Sequence, residues 1–479
     1  MTPSSTPIYT AVKKYISENP LRLHMPGHGG KSEAFPPLWK DMPLCDVTEV
    51  PGLDDLHLPT EAIEQAQQLL AQAFGASQSF FLVNGATSGI HTLFLALPSK
   101  AQVIVPRHAH RSFFGGMVLS GAKPVYLPAQ VDQETGLSLF TSVESVENTL
   151  QQNNEVAAVF LTSPTYYGTT SDIGGMAAAA HRWKVPVYVD EAHGAHFYFH
   201  SSYPTPALQA GADAVVHGLH KTLPVFNQGG ALHLGNSCPS PEQVKKAYSL
   251  LTTTSPSYPL LAAMDLARHF MQQEGQKRLE EAWQLAAEYR EKIAQLPGLK
   301  CWGTGLPFSR ASGLDPLKIL VLTSGLKMTG FDMGRLLRRQ YNIQVEIEGE
   351  HYILAMMSMF HQRSHWERFY RALQEISQEQ KGIQENNKNN LGAVPPAPLV
   401  IKSPREAFFS PSRCVPLAQA RNLVSAEMVA AYPPGIPCLL PGEMITPEVW
   451  DYLHYIRQTG IRVQGPLDPR LDTIMVLDI

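Results

Sequence analysis

Three short stretches of the sequence carry residue types that could do chemistry together. The first, Asn84-Gly85-Ala86-Thr87-Ser88-Gly89, follows an apolar run and precedes a helix-like stretch at 90–97. Small residues at a helix start leave backbone N–H groups free for an anion, and the Thr87 and Ser88 hydroxyls add donors, so the loop suits a phosphate. It equally suits an ordinary strand-to-helix turn, being neither a GxGxxG nor a Walker loop. The second, Val187-Tyr188-Val189-Asp190-Glu191-Ala192-His193-Gly194-Ala195-His196, ends an apolar run in an acid. Open α/β sheets bind ligands at the carboxyl ends of their strands, where an aspartate can face a cofactor or metal, or simply cap a turn. His193 and His196 stand three apart with Glu191 close by, but the spacing matches no standard zinc signature, and no metal is assigned. The third, Val215-Val216-His217-Gly218-Leu219-His220-Lys221-Thr222, ends another apolar run. Burial there lowers the pKa of a lysine and makes its amine a nucleophile, whereas a solvated loop leaves it inert.

In the order phosphate loop, strand-end acid, strand-end lysine, these stretches supply what pyridoxal phosphate needs. It requires a phosphate cradle, an acid that keeps the pyridine nitrogen protonated, and an amine that condenses with the aldehyde. The elements between them must bring the three together. Apolar, β-branched runs at 79–83, 103–105, 125–127, 156–161, 185–189 and 214–216 alternate with helix-length segments, the first of them amphipathic through Ile63, Ala66, Leu69, Leu70 and Ala73. Continuous apolar runs are strands buried on both faces, which predicts a mostly parallel sheet covered by helices. A long helical pattern at 276–296 leads to a smaller α+β unit, with strand signals at 319–322, 343–347 and 352–355 and helices near 332–339 and 366–376. Gln, Asn, Lys, Gly and Pro then dominate a linker. The expected division is an N-terminal segment 1–59, a major domain 60–300, a small α+β domain 301–379, a linker 380–398 and a C-terminal α+β domain 399–479.

The 479 residues are 44% apolar and 17% charged, which describes a chain able to bury a large core. With 38 basic against 42 acidic residues the net charge is −4, so no positive excess drives nucleic-acid binding. Cys45, Cys238, Cys301, Cys414 and Cys438 form no CxxC pair and are odd in number, fitting neither a disulfide framework nor a zinc ribbon. No apolar run approaches a membrane span, and residues 1–20 lack a signal-like apolar stretch. The expectation is a cytoplasmic protein with no membrane or nucleic-acid partner.

Over essentially its whole length the chain resembles the ornithine/lysine/arginine decarboxylases of pyridoxal-phosphate fold type I, in the shorter bacterial form without an N-terminal wing domain. The resemblance is carried by Leu23-His24-Met25-Pro26-Gly27-His28, Asp46-Val47-Thr48-Glu49-Val50, Gly52-Leu53-Asp54-Asp55-Leu56 and Phe81-Leu82-Val83-Asn84-Gly85. It continues through Pro106-Arg107-His108-Ala109-His110-Arg111-Ser112, Ser163-Pro164-Thr165-Tyr166-Tyr167-Gly168, the Asp190 to Gly194 run and His220-Lys221.

The resemblance implies an aspartate aminotransferase-like major domain, a small α+β domain and a decarboxylase-type C-terminal domain. It implies that Lys221 holds the cofactor through its amine, that Asp190 pairs with the pyridinium nitrogen, and that His110 and Ala192 cover the two ring faces. His193 then lies near the cofactor O3′ and the substrate carboxylate, Ala86, Thr87, Ser88 and His220 hold the phosphate, and Thr165 approaches the ring oxygen. The implied reaction is α-decarboxylation of a basic amino acid, arginine before lysine or ornithine, giving agmatine or a diamine for polyamine synthesis. The implied assembly is a homodimer or higher homo-oligomer. Glu49, Asp54, Asp55 and Glu443 are candidates to anchor the cationic substrate side chain, or else turn caps and ion-pair partners.

Two positions depart from the family pattern. Ala86 replaces the usual Ser or Thr, and Gly218 replaces the usual Ser, both facing the phosphate. Each lost hydroxyl costs about 1.5–3 kcal/mol unless His217, Thr222 or water compensates. The alternatives are an aminotransferase or lyase on the same fold, or a non-catalytic regulatory paralogue. No small-domain arginine stands out as a carboxylate clamp for the former, and the presence of Lys221 and Asp190 argues against the latter.

Overall fold

The predicted apolar runs become neighbouring strands because each is too apolar to tolerate water on either face. The computed structural model describes residues 18–23, 47–49, 53–128, 130–132, 137–303, 313–380, 382, 399–431 and 436–479. The motif residues at 24–28, 46, 50 and 52, Cys45 and most of the 380–398 linker lie outside them. In chain order the elements on and around the major sheet are β1 (Leu21–Leu23), which is not itself part of it, α1 (Ala62–Phe74), β2 (Gln78–Leu82), α2 (Gly85–Leu95), β3 (Gln102–Pro106), α3 (Ser112–Ser120), β4 (Lys123–Leu127), β5 (Val156–Thr162), α4 (Ile173–Arg182), β6 (Val187–Asp190), β7 (Ala214–His217) and β8 (Gly230–Leu234). β1 lies apart, pairing with the small domain. The other strands form one sheet in the order β2-β8-β7-β6-β5-β3-β4, with β8 antiparallel to both its neighbours and the remaining pairings parallel.

Apolar layers cover both faces of this sheet. On one, Leu93 and Phe94 of α2 and Met117 of α3 pack on Phe160, with the Phe94 and Phe160 rings stacked at 4.0 Å. On the other, Met176, Ala177 and Ala180 of α4 pack on Val159, Val187, Val189 and Val215. Each of the Leu, Phe, Met and Val side chains among them contributes about 1.5–3 kcal/mol on burial. β8 escaped the sequence reading because its Gly-Ala-Leu-His-Leu run places a histidine inside the sheet. That ring is accommodated by Ser79, whose Oγ lies 2.7 Å from His233 Nδ1.

The start of α1 answers one open question. The Asp54 carboxylate accepts hydrogen bonds from the N–H groups of Thr60, Glu61, Ile63 and Glu64 at 2.9–3.2 Å, satisfying donors that a helix start leaves free.

After α5 (Gln276–Ala294), the small domain comprises β9 (Lys318–Leu322), α6 (Gly330–Gln340), β10 (Ile343–Val345), β11 (Tyr352–Met356) and α7 (Arg363–Glu379). β9 pairs antiparallel with β11, and β1 pairs parallel with β10, tying the N-terminal segment to this unit. The C-terminal part pairs β12 (Ser412–Pro416) with β13 (Thr473–Leu477) and packs α8 (Pro447–Thr459) through Val449, Leu453 and Ile456 on its own apolar cluster. Among the described residues, Cys238, Cys301, Cys414 and Cys438 form no disulfide.

Candidate active site

β6 and β7 lie side by side in parallel, with Asp190 opposite Val216. The chain leaves both strands at the same sheet edge, so the segments carrying Asp190, His193 and Lys221 emerge together. Lys221 Nζ lies 3.0 Å from His193 Nε2, and Asp190 Oδ1 accepts from the Ala192 N–H at 3.1 Å. Burial raises the Asp190 carboxyl while the Lys221 charge holds it down. Burial lowers the Lys221 amine, opposed by Asp190 and Glu346. His193 falls well below the ordinary imidazole range, through burial first and then the charges of Lys221 and Lys318. His110 keeps part of its residue surface in solvent, while its Nδ1 lies 3.0 Å from Ser112 Oγ in a partly buried contact. Packing around that ring and the charge of Lys221 push its pKa down.

The loop ahead of α2 faces the same edge. Asn84 gives α2 no side-chain cap, and the Ser88 hydroxyl turns back to the Gly85 carbonyl at 2.8 Å. The opposing backbone at Gly230 is close: a Cβ there would stand 3.2 Å from the Ala86 nitrogen and 2.8 Å from the His217 carbonyl. His220 Nδ1 is 2.8 Å from the Gly229 carbonyl. Thr222 Oγ1 is buried with no partner among the described residues. An uncapped first turn, an orphaned hydroxyl and a glycine-lined gap fit a phosphate, and a buried acid beside a buried amine fits the ring and aldehyde of pyridoxal phosphate. Gly218 has its own geometric reason. A Cβ there would come 3.1 Å from Lys221 Cδ and 3.2 Å from the Ala192 carbonyl, so glycine leaves room for the lysine stem.

Other predicted residues have different company. Thr165 Oγ1 bonds the Thr169 hydroxyl at 2.7 Å. His193, Glu191 and His196 do not converge: His196 Nε2 faces Asp315 at 3.2 Å, while Glu191 meets His217 Nε2, the Tyr198 hydroxyl and the Ala207 N–H. Burial pushes the Glu191 carboxyl up and the His217 imidazole down, so both members of this buried contact are drawn toward their neutral forms. Among the anchor candidates, Asp54 caps α1 and Asp55 Oδ1 accepts from the His57 N–H at 2.8 Å. Glu443 pairs with Arg107 at 2.9 Å. Glu49 takes the Thr48 hydroxyl on Oε2 and keeps Oε1 buried without a partner among the described residues.

The small domain adds residues that sequence reasoning missed. Lys318 Nζ, at the start of β9, lies 3.0 Å from His193 Nδ1 and 5.0 Å from the centre of the Tyr166 ring. Tyr166 stands tilted against His193 at 4.7 Å and donates its hydroxyl to Glu346. The only signal for Lys318 in the sequence was a lysine at the head of the apolar run Ile319-Leu320-Val321-Leu322.

The family model for the major domain of Orn/Lys/Arg decarboxylases matches residues 6–306, and that for the C-terminal domain matches residues 401–465. The chain belongs to this family. It is 36% identical to the arginine decarboxylase of Bacillus subtilis over 483 aligned residues, covering 100% of this chain and 99% of the relative. It is 34% identical to the arginine decarboxylase of Bacillus anthracis, covering 98% and 97%. The structure of the Escherichia coli constitutive lysine decarboxylase superposes with a TM-score of 0.77 at 21% identity, covering 99% of this chain and 82% of that one. The serine palmitoyltransferase of Sphingomonas wittichii superposes with a TM-score of 0.58 at 15% identity, covering 75% and 88%. The family's fold is therefore the α/β fold type I architecture anticipated from the sequence.

Proposed function

We propose that this chain is a pyridoxal-phosphate-dependent α-decarboxylase of a basic amino acid, with arginine as first substrate and agmatine and carbon dioxide as products. The observation that carries this reading is the meeting of Lys221, His193 and Asp190 at one sheet edge in a chain aligned end to end with arginine decarboxylases. When bound, pyridoxal phosphate supplies the sink for the electron pair left on Cα as the carboxylate departs.

The chain supplies the rest. Asp190 would hold a proton on the pyridine nitrogen of the bound cofactor, and as a carboxylate would be favoured by that cationic partner. The N–H groups of Ala86, Thr87 and Ser88, with Thr87 Oγ1, His220 and Thr222, bind the phosphate, so Thr222 takes over part of what Ala86 and Gly218 give up. His110 and Ala192 would cover the ring faces of the bound cofactor, and Thr165 would lie toward the ring oxygen. Lys221 provides the amine nucleophile, and Lys221 Nζ or His193 Nε2 carries the proton delivered to Cα. Glu49, with a buried oxygen that has no partner among the described residues, is the favoured anchor for a guanidinium. A homodimer is the proposed minimum assembly, acting on small molecules only, in the cytoplasm. No helix among the described residues is long and apolar enough to cross a membrane.

The test is to incubate the purified protein with pyridoxal phosphate and, separately, arginine, lysine and ornithine, measuring carbon dioxide and the amine by mass. Fast release of one amine identifies the substrate. No release from any of them, with cofactor bound at Lys221, overturns the decarboxylase reading in favour of transamination or a regulatory role. Lys221→Ala is expected to lose the visible absorbance of bound cofactor.

A further inference from the structure

Lys318 is a buried cation to which the chemistry outlined above gives no task. It is 1% exposed, and its stem packs so tightly on Gly168 that a Cβ there would lie 2.7 Å from Lys318 Cβ. Its Nζ meets His193 Nδ1 at 3.0 Å, Met356 Sδ at 3.3 Å and the face of Tyr166, and the charges of Asp315 and Glu346 act on it. Burying an ammonium is expensive, and a methionine or leucine would fill this space without that cost. The charge therefore needs a reason.

The reason lies in the ring between two amines. His193 faces Lys318 through Nδ1 and Lys221 through Nε2, both at 3.0 Å. A neutral imidazole has one N–H and one lone pair, so the partner of one nitrogen decides the role of the other. An ammonium on Lys318 donates to Nδ1, which places the ring proton on Nε2. That N–H then points at Lys221, which can accept it only through the lone pair of an unprotonated amine.

We propose that Lys318 is a positioning residue that fixes His193 as its Nε2–H tautomer and thereby holds Lys221 as a free amine. The inference rests on the reading of Lys221 as the nucleophile. The charged and titratable groups around the relay agree in direction. Burial lowers Lys318 to about 8, against Asp315 and Glu346, which leaves it mostly an ammonium at neutral pH. Asp190 and Glu346 face Lys221, while His110 and His220 add to the fields that keep His193 neutral.

The experiment compares wild type with Lys318→Met and Lys318→Arg. Histidine-selective 15N NMR on the cofactor-free protein, with His193 assigned by loss of its signals in His193→Gln, reads the tautomer directly. Wild type and Lys318→Arg are expected to show Nε2–H, and Lys318→Met to move population to Nδ1–H. The second readout is the pH profile of pyridoxal phosphate capture by absorbance. Lys318→Met is expected to shift its midpoint up by a unit or more, about a tenfold slower capture at pH 7, with the arginine variant restoring it. An unchanged tautomer and profile in Lys318→Met, or an arginine variant as defective as the methionine one, overturns the proposal. Lys318→Leu carries the same readouts if the methionine variant does not fold. A wild type that captures no cofactor refutes the cofactor reading alone, because the tautomer measurement needs none.

Discussion

Arg107 stands directly after β3 and reaches into the C-terminal part of the chain. Its Nη1 donates to the Pro437 carbonyl at 3.0 Å, and its Nη2 to the Cys438 carbonyl at 3.2 Å and to Glu443 Oε2 at 2.9 Å. Glu443 is 2% exposed, also accepts from the Leu440 N–H at 2.7 Å, and leaves Oε1 without a partner among the described residues. Arg107→Met removes the cation while keeping much of the stem. Breaking a buried pair ordinarily costs about 3–5 kcal/mol, because a charge is stranded. Here burial pushes the Glu443 carboxyl up to about 7 against the pull of Arg107, so the stranded group simply stays protonated.

Relative to a variant whose Glu443 stays protonated, the ability to ionise beside Arg107 therefore favours the wild type by only RT ln(1 + 10^(pH−7)), about 0.4 kcal/mol at pH 7 and about 2.7 kcal/mol at pH 9. The two carbonyl bonds add about 3 kcal/mol at any pH. The sign is fixed by the raised pKa: stability from Glu443 is complete below its unfolded value of 4.5 and is lost as pH rises through about 7, more steeply without Arg107. The loss in Arg107→Met should thus grow from about 3 kcal/mol at pH 6 to about 6 kcal/mol at pH 9. Hydrogen exchange of peptides covering 437–444, corrected for intrinsic rates, measures this local opening. A ratio of variant to wild-type exchange that is the same at pH 6 and pH 9 would show that Glu443 does not ionise against Arg107 and would refute the reasoning.

Two further outcomes follow from the site and its supports. Asp54→Ala removes the acceptor for the N–H groups that open α1 and should cost about 1–2 kcal/mol at pH 7, read as a lowered melting temperature. Burial pushes the Asp54 carboxyl up, but the backbone N–H bonds outweigh it and hold it down to about 2, so this contribution is present above 3.8 and disappears as pH falls through about 2; an unchanged melting temperature at pH 7 contradicts the capping role. Thr222→Val should leave the melting temperature of the cofactor-free protein unchanged and weaken pyridoxal phosphate binding by about 10- to 150-fold, the loss of one hydrogen bond to a charged group; equal dissociation constants would remove Thr222 from the phosphate site.

The sheet was legible in the sequence because its strands are apolar on both faces, and a run such as Val156–Thr162 has no other stable place. That Asp190 and Lys221 come close in space was legible for a related reason: Asp190 ends one apolar strand, Lys221 follows the end of its parallel neighbour by four residues, and parallel neighbours end on the same side. What the sequence could not show is which partner each polar group finds. Asp54 and Glu443 look alike as acids, yet one meets the N–H groups of a helix start and the other an arginine from another part of the chain. Glu191 and His193 are two residues apart, but the turn after β6 sends the first into the core against His217 and the second between two lysines. Proximity along the chain was therefore a poor guide to a metal site, and distance along it hid Lys318. A lysine at the head of a buried strand contradicts the burial that the strand's own pattern demands, and such local contradictions are where function is to be sought.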